Sequence, residues 1–139
     1  MGAATCITIA AGLMTTILPT STMTLKWIHS VEKVPWEEDY AATIDGLVIT
    51  EARVVRSGAG MEPPESARFD GKWWRYKPAL APLPIVELAN SEFVGGYQIC
   101  WVGRCQRLSD LVPKGQVAAI KSLSCRSQGA SGSLTDANR

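Results

Sequence analysis

Hydrophobic and polar residues alternate along this chain in short runs separated by glycine and proline, the pattern of strands rather than helices. The clearest run is Thr22 to Ser30. Met23, Leu25 and Trp27 fall on one face, and Thr24, Lys26 and Ser30 on the other. His29 continues the apolar column at its far end, and Ile28 is the one apolar residue on the polar side. Upstream, Cys6 to Ala10 and Leu13 to Leu18 read as two strands joined by a turn at Ala11-Gly12, with Pro19 closing the second. The apolar stretch Ala3 to Leu18 also invites comparison with a leader or a membrane anchor. No Lys or Arg precedes Lys26, no small-residue cleavage site follows, and Gly12 and four threonines interrupt it. No transmembrane segment is therefore expected.

Asp45-Gly46 is a strong two-residue turn signal between Asp39 to Ile44 and Leu47 to Val55. Such a turn sets Ile44 opposite Leu47, Ala42 opposite Ile49, Tyr40 opposite Glu51 and Glu38 opposite Arg53, all on one side of the sheet. The run Gly58 to Glu65 has too much Gly and Pro for regular structure and reads as a loop, with Gly58 and Gly60 as points of close backbone approach. No Lys-Ser or Lys-Thr follows it, so it is not a phosphate cradle. A second turn at Asp70-Gly71 precedes the strand Lys72 to Tyr76, and the three prolines of Lys77 to Pro84 mark an extended crossover. Ile85 to Leu88 and Tyr97 to Trp101 are the last long strands. From Pro113 the composition turns to Ser, Gly, Ala and Lys, so residues 113–139 are expected to form a disordered tail behind an all-β domain of residues 1–112. The expected fold is one antiparallel sandwich or barrel of about eight strands.

Length and charge narrow the function. The 139 residues suffice for a core without a metal or disulfide framework. Fourteen basic against thirteen acidic residues leave a net charge of +1, with no block of like charge to track a phosphate backbone, so nucleic acid is excluded as a partner. Of the four cysteines, Cys100 and Cys105 flank Trp101 to Arg104. A tight turn at Val102-Gly103 sets them at a non-hydrogen-bonded position, about 4.5 Å apart and within disulfide reach. Val102 suits positive φ poorly, and a four-residue loop also keeps them opposite. Two reduced thiols in the cytoplasm are the other state open to the pair. Cys6 and Cys125 are expected to stay free.

The candidate chemistry gathers around the only histidine. Strand alternation and the Asp45-Gly46 turn predict a polar cluster at the rim of the core from His29, Glu32, Tyr40 and Glu51, with Glu38 and Arg53 at its outer edge. One histidine without a repeated ligand spacing assigns no metal, and no cofactor is implied. Ser30 points to the face opposite His29, so the pair is no nucleophile and base. The expectation is a non-enzymatic accessory or ligand-binding module. The enzymatic alternative is a small hydrolase or isomerase with His29 and Glu51 as its acid and base.

The motifs His29-Ser30-Val31-Glu32, Pro35-Trp36-Glu37-Glu38, Thr50-Glu51 within Leu47 to Arg53, Gly58-Ala59-Gly60-Met61, Trp73-Trp74 and the Cys100 and Cys105 pair together resemble a bacterial family, domain of unknown function 1850. The resemblance runs from about Cys6 to Leu108. The family has no established activity. Its members are often encoded beside TAXI-type TRAP transporters, so the resemblance implies an accessory role in solute uptake with a transporter component as partner. Many relatives open with a membrane anchor, which implies the periplasmic face. Without a recognisable leader, the sequence alone leaves this chain in the cytoplasm.

Overall fold

The alternation becomes eleven strands and one helical turn in the computed structural model, which describes residues 4–28, 33–55, 63–90 and 96–125. The strands are β1 (Thr5–Ala11), β2 (Met14–Leu18), β3 (Thr22–Ile28), β4 (Pro35–Thr43), β5 (Gly46–Val54), β6 (Arg68–Phe69), β7 (Trp74–Tyr76), β8 (Val86–Leu88), β9 (Gln98–Trp101), β10 (Arg104–Arg107) and β11 (Ala118–Ser124). The helical turn, α1 (Leu108–Leu111), follows β10 directly. Two antiparallel sheets result, one ordered β2-β1-β11-β8 and the other β10-β9-β3-β4-β5-β7-β6. The strand count exceeds the expected one because β6, β10 and β11 add to the eight runs read from the sequence.

The inner faces of the sheets form one core. Ile7 and Ile9 of β1, Leu18 of β2 and Ile120 of β11 meet Met23, Leu25, Tyr40, Leu47, Ile49 and Ile99 of the larger sheet. Leu108 and Leu111 of α1, with Val112, are buried in the same cluster. A smaller cluster lies at the other end of β4 and β5, where Trp36 and Trp74 pack on Val34 and Val54. Trp36, although it stands beside Pro35, is thus a half-buried strand residue stacked on Trp27, with ring centroids 5.7 Å apart.

Three expectations need correction. The first concerns the central hairpin, whose turn is Ile44-Asp45, with Thr43 paired to Gly46 and Ala42 to Leu47. Gly46 stands at φ +129, and a Cβ there would come within 2.6 Å of the Leu83 carbonyl oxygen, so glycine is required just after the turn. Leu47 and Leu83 exchange two 2.8 Å backbone hydrogen bonds at that point. Ile44, expected in the core, is 93% exposed at the tip.

Further along the same pair, Tyr40 faces Ile49 while Asp39 faces Glu51, so Thr50 is an extra residue on β5. This bulge exchanges the faces of everything after it. Ala52 and Val54 turn inward, and Glu51 and Arg53 turn outward. Tyr40 and Glu51 therefore occupy opposite faces, as do Glu38 and Arg53.

The second correction concerns residues beyond Pro113. Ala118–Ser124 is an inner strand, paired with β1 on one side and β8 on the other, with Ala118 and Ile120 fully buried. One alanine and one isoleucine suffice to bury the inner face of this strand, so a composition typical of a tail serves a strand. Residues 126–139 lie outside the described part of the chain.

The third concerns the cysteines. Cys100 and Cys105 are joined, their Cα atoms 4.0 Å apart across β9 and β10, and Cys6 is also joined to Cys125. The turn between Cys100 and Cys105 is the tight one, with Val102 at φ 49 and Gly103 at φ 78.

Candidate functional site: the charged outer face of the larger sheet

Because adjacent strands pair residues of one face, the outward positions of the larger sheet line up in rows. One row runs Cys105, Cys100, Thr24, Asp39, Glu51 and the next Gln98, Lys26, Glu37, Arg53, Arg75. Lys26, Glu37 and Arg53 alternate in charge along the second row, Arg75 follows as a second guanidinium, and Arg53 binds the two rows together. Its Nε donates to Glu37 at 2.8 Å, its Nη1 to Asp39 at 2.9 Å and Glu51 at 2.7 Å, and its Nη2 to Asp39 at 3.0 Å. Thr24 Oγ1 adds a 2.7 Å bond to Asp39, and Arg75 bridges Glu51 to Asp70.

Charge follows from this geometry. Partial burial works against ionisation of Asp39, but the bonds from Arg53 and Thr24 and the charges of Arg53 and Arg75 outweigh it and hold the carboxyl below the usual range. The backbone N–H of Trp73 and the Arg75 guanidinium likewise hold Asp70 well below that range.

A groove of about 620 Å³ follows these rows. Thr22, Thr24 and Ala41 supply its short side chains, with the Cys100–Cys105 disulfide on one side and Asp39 and Arg53 on the other. Val102, at the hairpin tip, also borders the groove and is 80% exposed. A β-branched residue at positive φ is strained, and its exposed side chain gains no burial in return.

The inner face carries a second polar feature. Glu38 faces Leu25 and Ala52 and accepts a 2.6 Å hydrogen bond from the Tyr40 hydroxyl. Burial pushes the Glu38 carboxyl above the usual range, and the Tyr40 bond offsets only part of that. Burial and then the charge of Glu38 push the Tyr40 hydroxyl upward, and Tyr76 and Tyr97 shift the same way for the same two reasons. Beyond Glu38, Trp27 stacks on Trp36 and meets Tyr97 at 5.8 Å, so aromatic rings close that end of the inner face.

The predicted rim cluster is thus divided. Tyr40 and Glu38 belong to the inner face, whereas Glu51 and Arg53 belong to the outer network, where Glu51 is held between two guanidinium groups. His29, Glu32, Gly58 and Gly60 lie outside the described residues. Glu37, Asp39 and Arg75 were not placed in that cluster. The signal that Glu51 and Arg53 join them was the change of apolar parity along β5, from Leu47 and Ile49 to Ala52 and Val54, which puts the intervening charges outward. Among the described residues no group of three or more His, Cys, Asp and Glu is arranged to hold a metal ion, and no helix is long and apolar enough to cross a membrane.

Two disulfide-stapled antiparallel sheets with an ion-paired outer face define the class: an all-β sandwich that presents a surface groove. The family model described as "Domain of unknown function (DUF1850)" matches residues 23–108, and the chain belongs to that family. The matched span holds the whole outer-face network from Lys26 to Arg75 and both cysteines of the hairpin. No curated protein and no solved structure matches the chain.

Proposed function

We propose that this protein is a non-catalytic binding module that takes a polar solute or segment in the outer-face groove and acts as an accessory to solute uptake by a TRAP-type transporter. The groove carries the reading. Three of its charged side chains, Glu37, Asp39 and Arg53, are committed to one another, which preorganises that wall of the groove. Threonine hydroxyls and fixed charges at a shallow groove suit recognition of a hydrogen-bonding ligand. Two disulfides support work in an oxidising compartment, and the family's resemblance to transporter-linked relatives supports the uptake role.

The test is an NMR titration of the isotope-labelled protein with a panel of amino acids, small carboxylates and sugars. Shifts that converge on Thr22, Thr24, Lys26 and Ala41 are expected for at least one class. Shifts confined to the inner-face aromatics, or no saturable shift from any class, would overturn the groove reading. Recovery of the tagged protein from native membranes without a transporter subunit would overturn the uptake role alone.

A further inference from the structure

Strand β10 is an edge. Its four residues, Arg104, Cys105, Gln106 and Arg107, are all exposed, and among the described residues it pairs with β9 on one side only. The tight turn sets the hydrogen-bonding pattern. Trp101 and Arg104 form the closing pair, so Cys105 opposite Cys100 is a non-hydrogen-bonded position. The N–H and C=O of Cys105 and the N–H of Arg107 consequently point away from the sheet, and among the described residues they have no backbone partner. The disulfide to Cys100 holds this edge flat against β9.

The other sheet edges are less open. Strand β6 is two residues long, β8 follows Pro84 directly after Ile85 and is three long, and Thr16 in β2 donates a 2.6 Å bond to the Leu111 carbonyl, which draws the chain around α1 against that edge. The charge at β10 is also distinctive. Arg104 lies over the Trp101 ring at 4.9 Å and has no carboxylate partner among the described residues, and Arg107 meets only Asp110, by two long bonds of 3.4 and 3.5 Å on the exposed surface.

We infer that β10 is a docking edge for an extended acidic segment of a partner protein, which adds as a further antiparallel strand. Main-chain bonds to Cys105 and Arg107 would supply the register, and carboxylates three residues apart would meet Arg104 and Arg107. The same arginines reject the alternative occupants. Pairing two copies of β10 brings four arginines to one seam, split between its two faces, with no added carboxylate, and basic or neutral strands leave them unpaired. This inference does not rest on the groove reading, although Arg104 and Cys105 also line that groove.

Isotope-labelled protein is titrated with the capped peptide Val-Glu-Thr-Val-Glu-Val and with the peptide in which lysine replaces both glutamates. The expected result is slowed amide exchange at Cys105 and Arg107 and saturable binding of the acidic peptide alone, weakened by salt. Arg107 sits at φ −72 and ψ 145, values proline adopts, and its N–H bonds nothing in the sheet. Arg107→Pro is therefore expected to leave the fold intact and weaken the acidic peptide by about tenfold or more. Arg107→Ala separates lost charge from lost donor, and Arg104→Glu should shift preference to the lysine peptide. Equal binding of the two peptides, no binding by about 1 mM, or unchanged affinity in Arg107→Pro would each overturn the proposal. Peptide shifts that fall on Thr24 and Lys26 instead of Cys105 would overturn it while favouring the groove.

Discussion

Removing the Cys6–Cys125 disulfide by Cys6→Ala with Cys125→Ala should cost far more stability than removing Cys100–Cys105. The two bridges close loops of very different length, with sequence separations of 119 and 5. With the chain-entropy relation the longer loop is worth about 5 kcal/mol at room temperature and the shorter about 2 kcal/mol. The larger figure is a third or more of the total stability typical of such a domain, roughly 5–15 kcal/mol. It also acts at a vulnerable place, because β11 pairs in the middle of the smaller sheet, and the bridge fixes its C-terminal end against Ala4 and Thr5. Urea denaturation of each double variant, followed by tryptophan fluorescence, gives the difference directly. If the long-loop variant does not fold, denaturing the Cys100→Ala, Cys105→Ala protein with and without reductant isolates the same bridge. A short-loop cost equal to or above the long-loop cost would refute the entropic reasoning.

Three further outcomes are expected. Val102→Asn relieves the strain of a β-branched residue at φ 49 in a two-residue turn and should raise stability by about 1 kcal/mol in denaturant melts, with Val102→Gly less effective. Gly46→Ala forces a Cβ to 2.6 Å from the Leu83 carbonyl oxygen at φ +129, so a loss of about 2 kcal/mol or more is expected, read as a lower denaturation midpoint with an unchanged slope. Glu38 has a raised folded-state pKa, so its contribution is full below the unfolded carboxylate value and is lost as pH rises through the folded value. Glu38→Gln should therefore flatten the decline in melting temperature above the usual carboxylate range, and an unchanged pH profile would refute the assignment. Asp39 works in the opposite sense, its contribution being lost as pH falls through its lowered value.

What the sequence made legible was whatever depended on one strand at a time. The alternation of Met23, Leu25 and Trp27 put the right residues inward in β3, and two cysteines around a four-residue run implied their own pairing. The central hairpin failed at a single residue. Extrapolating one unbroken period of two from Leu47 carried Glu51 and Arg53 to the wrong face, although the step from Ile49 to Ala52 already contained the bulge. The end of the chain failed for a different reason. A judgement from average composition hides a short strand whose burial rests on Ala118 and Ile120 alone. With Cys100 and Cys105 assigned to each other, Cys6 and Cys125 were the pair left over, and they would have indicated that the chain returns to its beginning.

That return has a topological consequence. Cys6 and Cys125 turn residues 6 to 125 into a covalent ring, and the chain enters and leaves it at one point. Ala4 and Thr5 sit there beside Ser124, at the pole where Thr43 and Ile44 turn between β4 and β5. The stacked Trp27 and Trp36 occupy the far end of the same strands. Any tether at either end of the ring would hold the molecule by the one pole and direct the aromatic pole outward. A linker joining residue 4 to residue 125, with new ends opened elsewhere in the ring, should preserve every strand pairing.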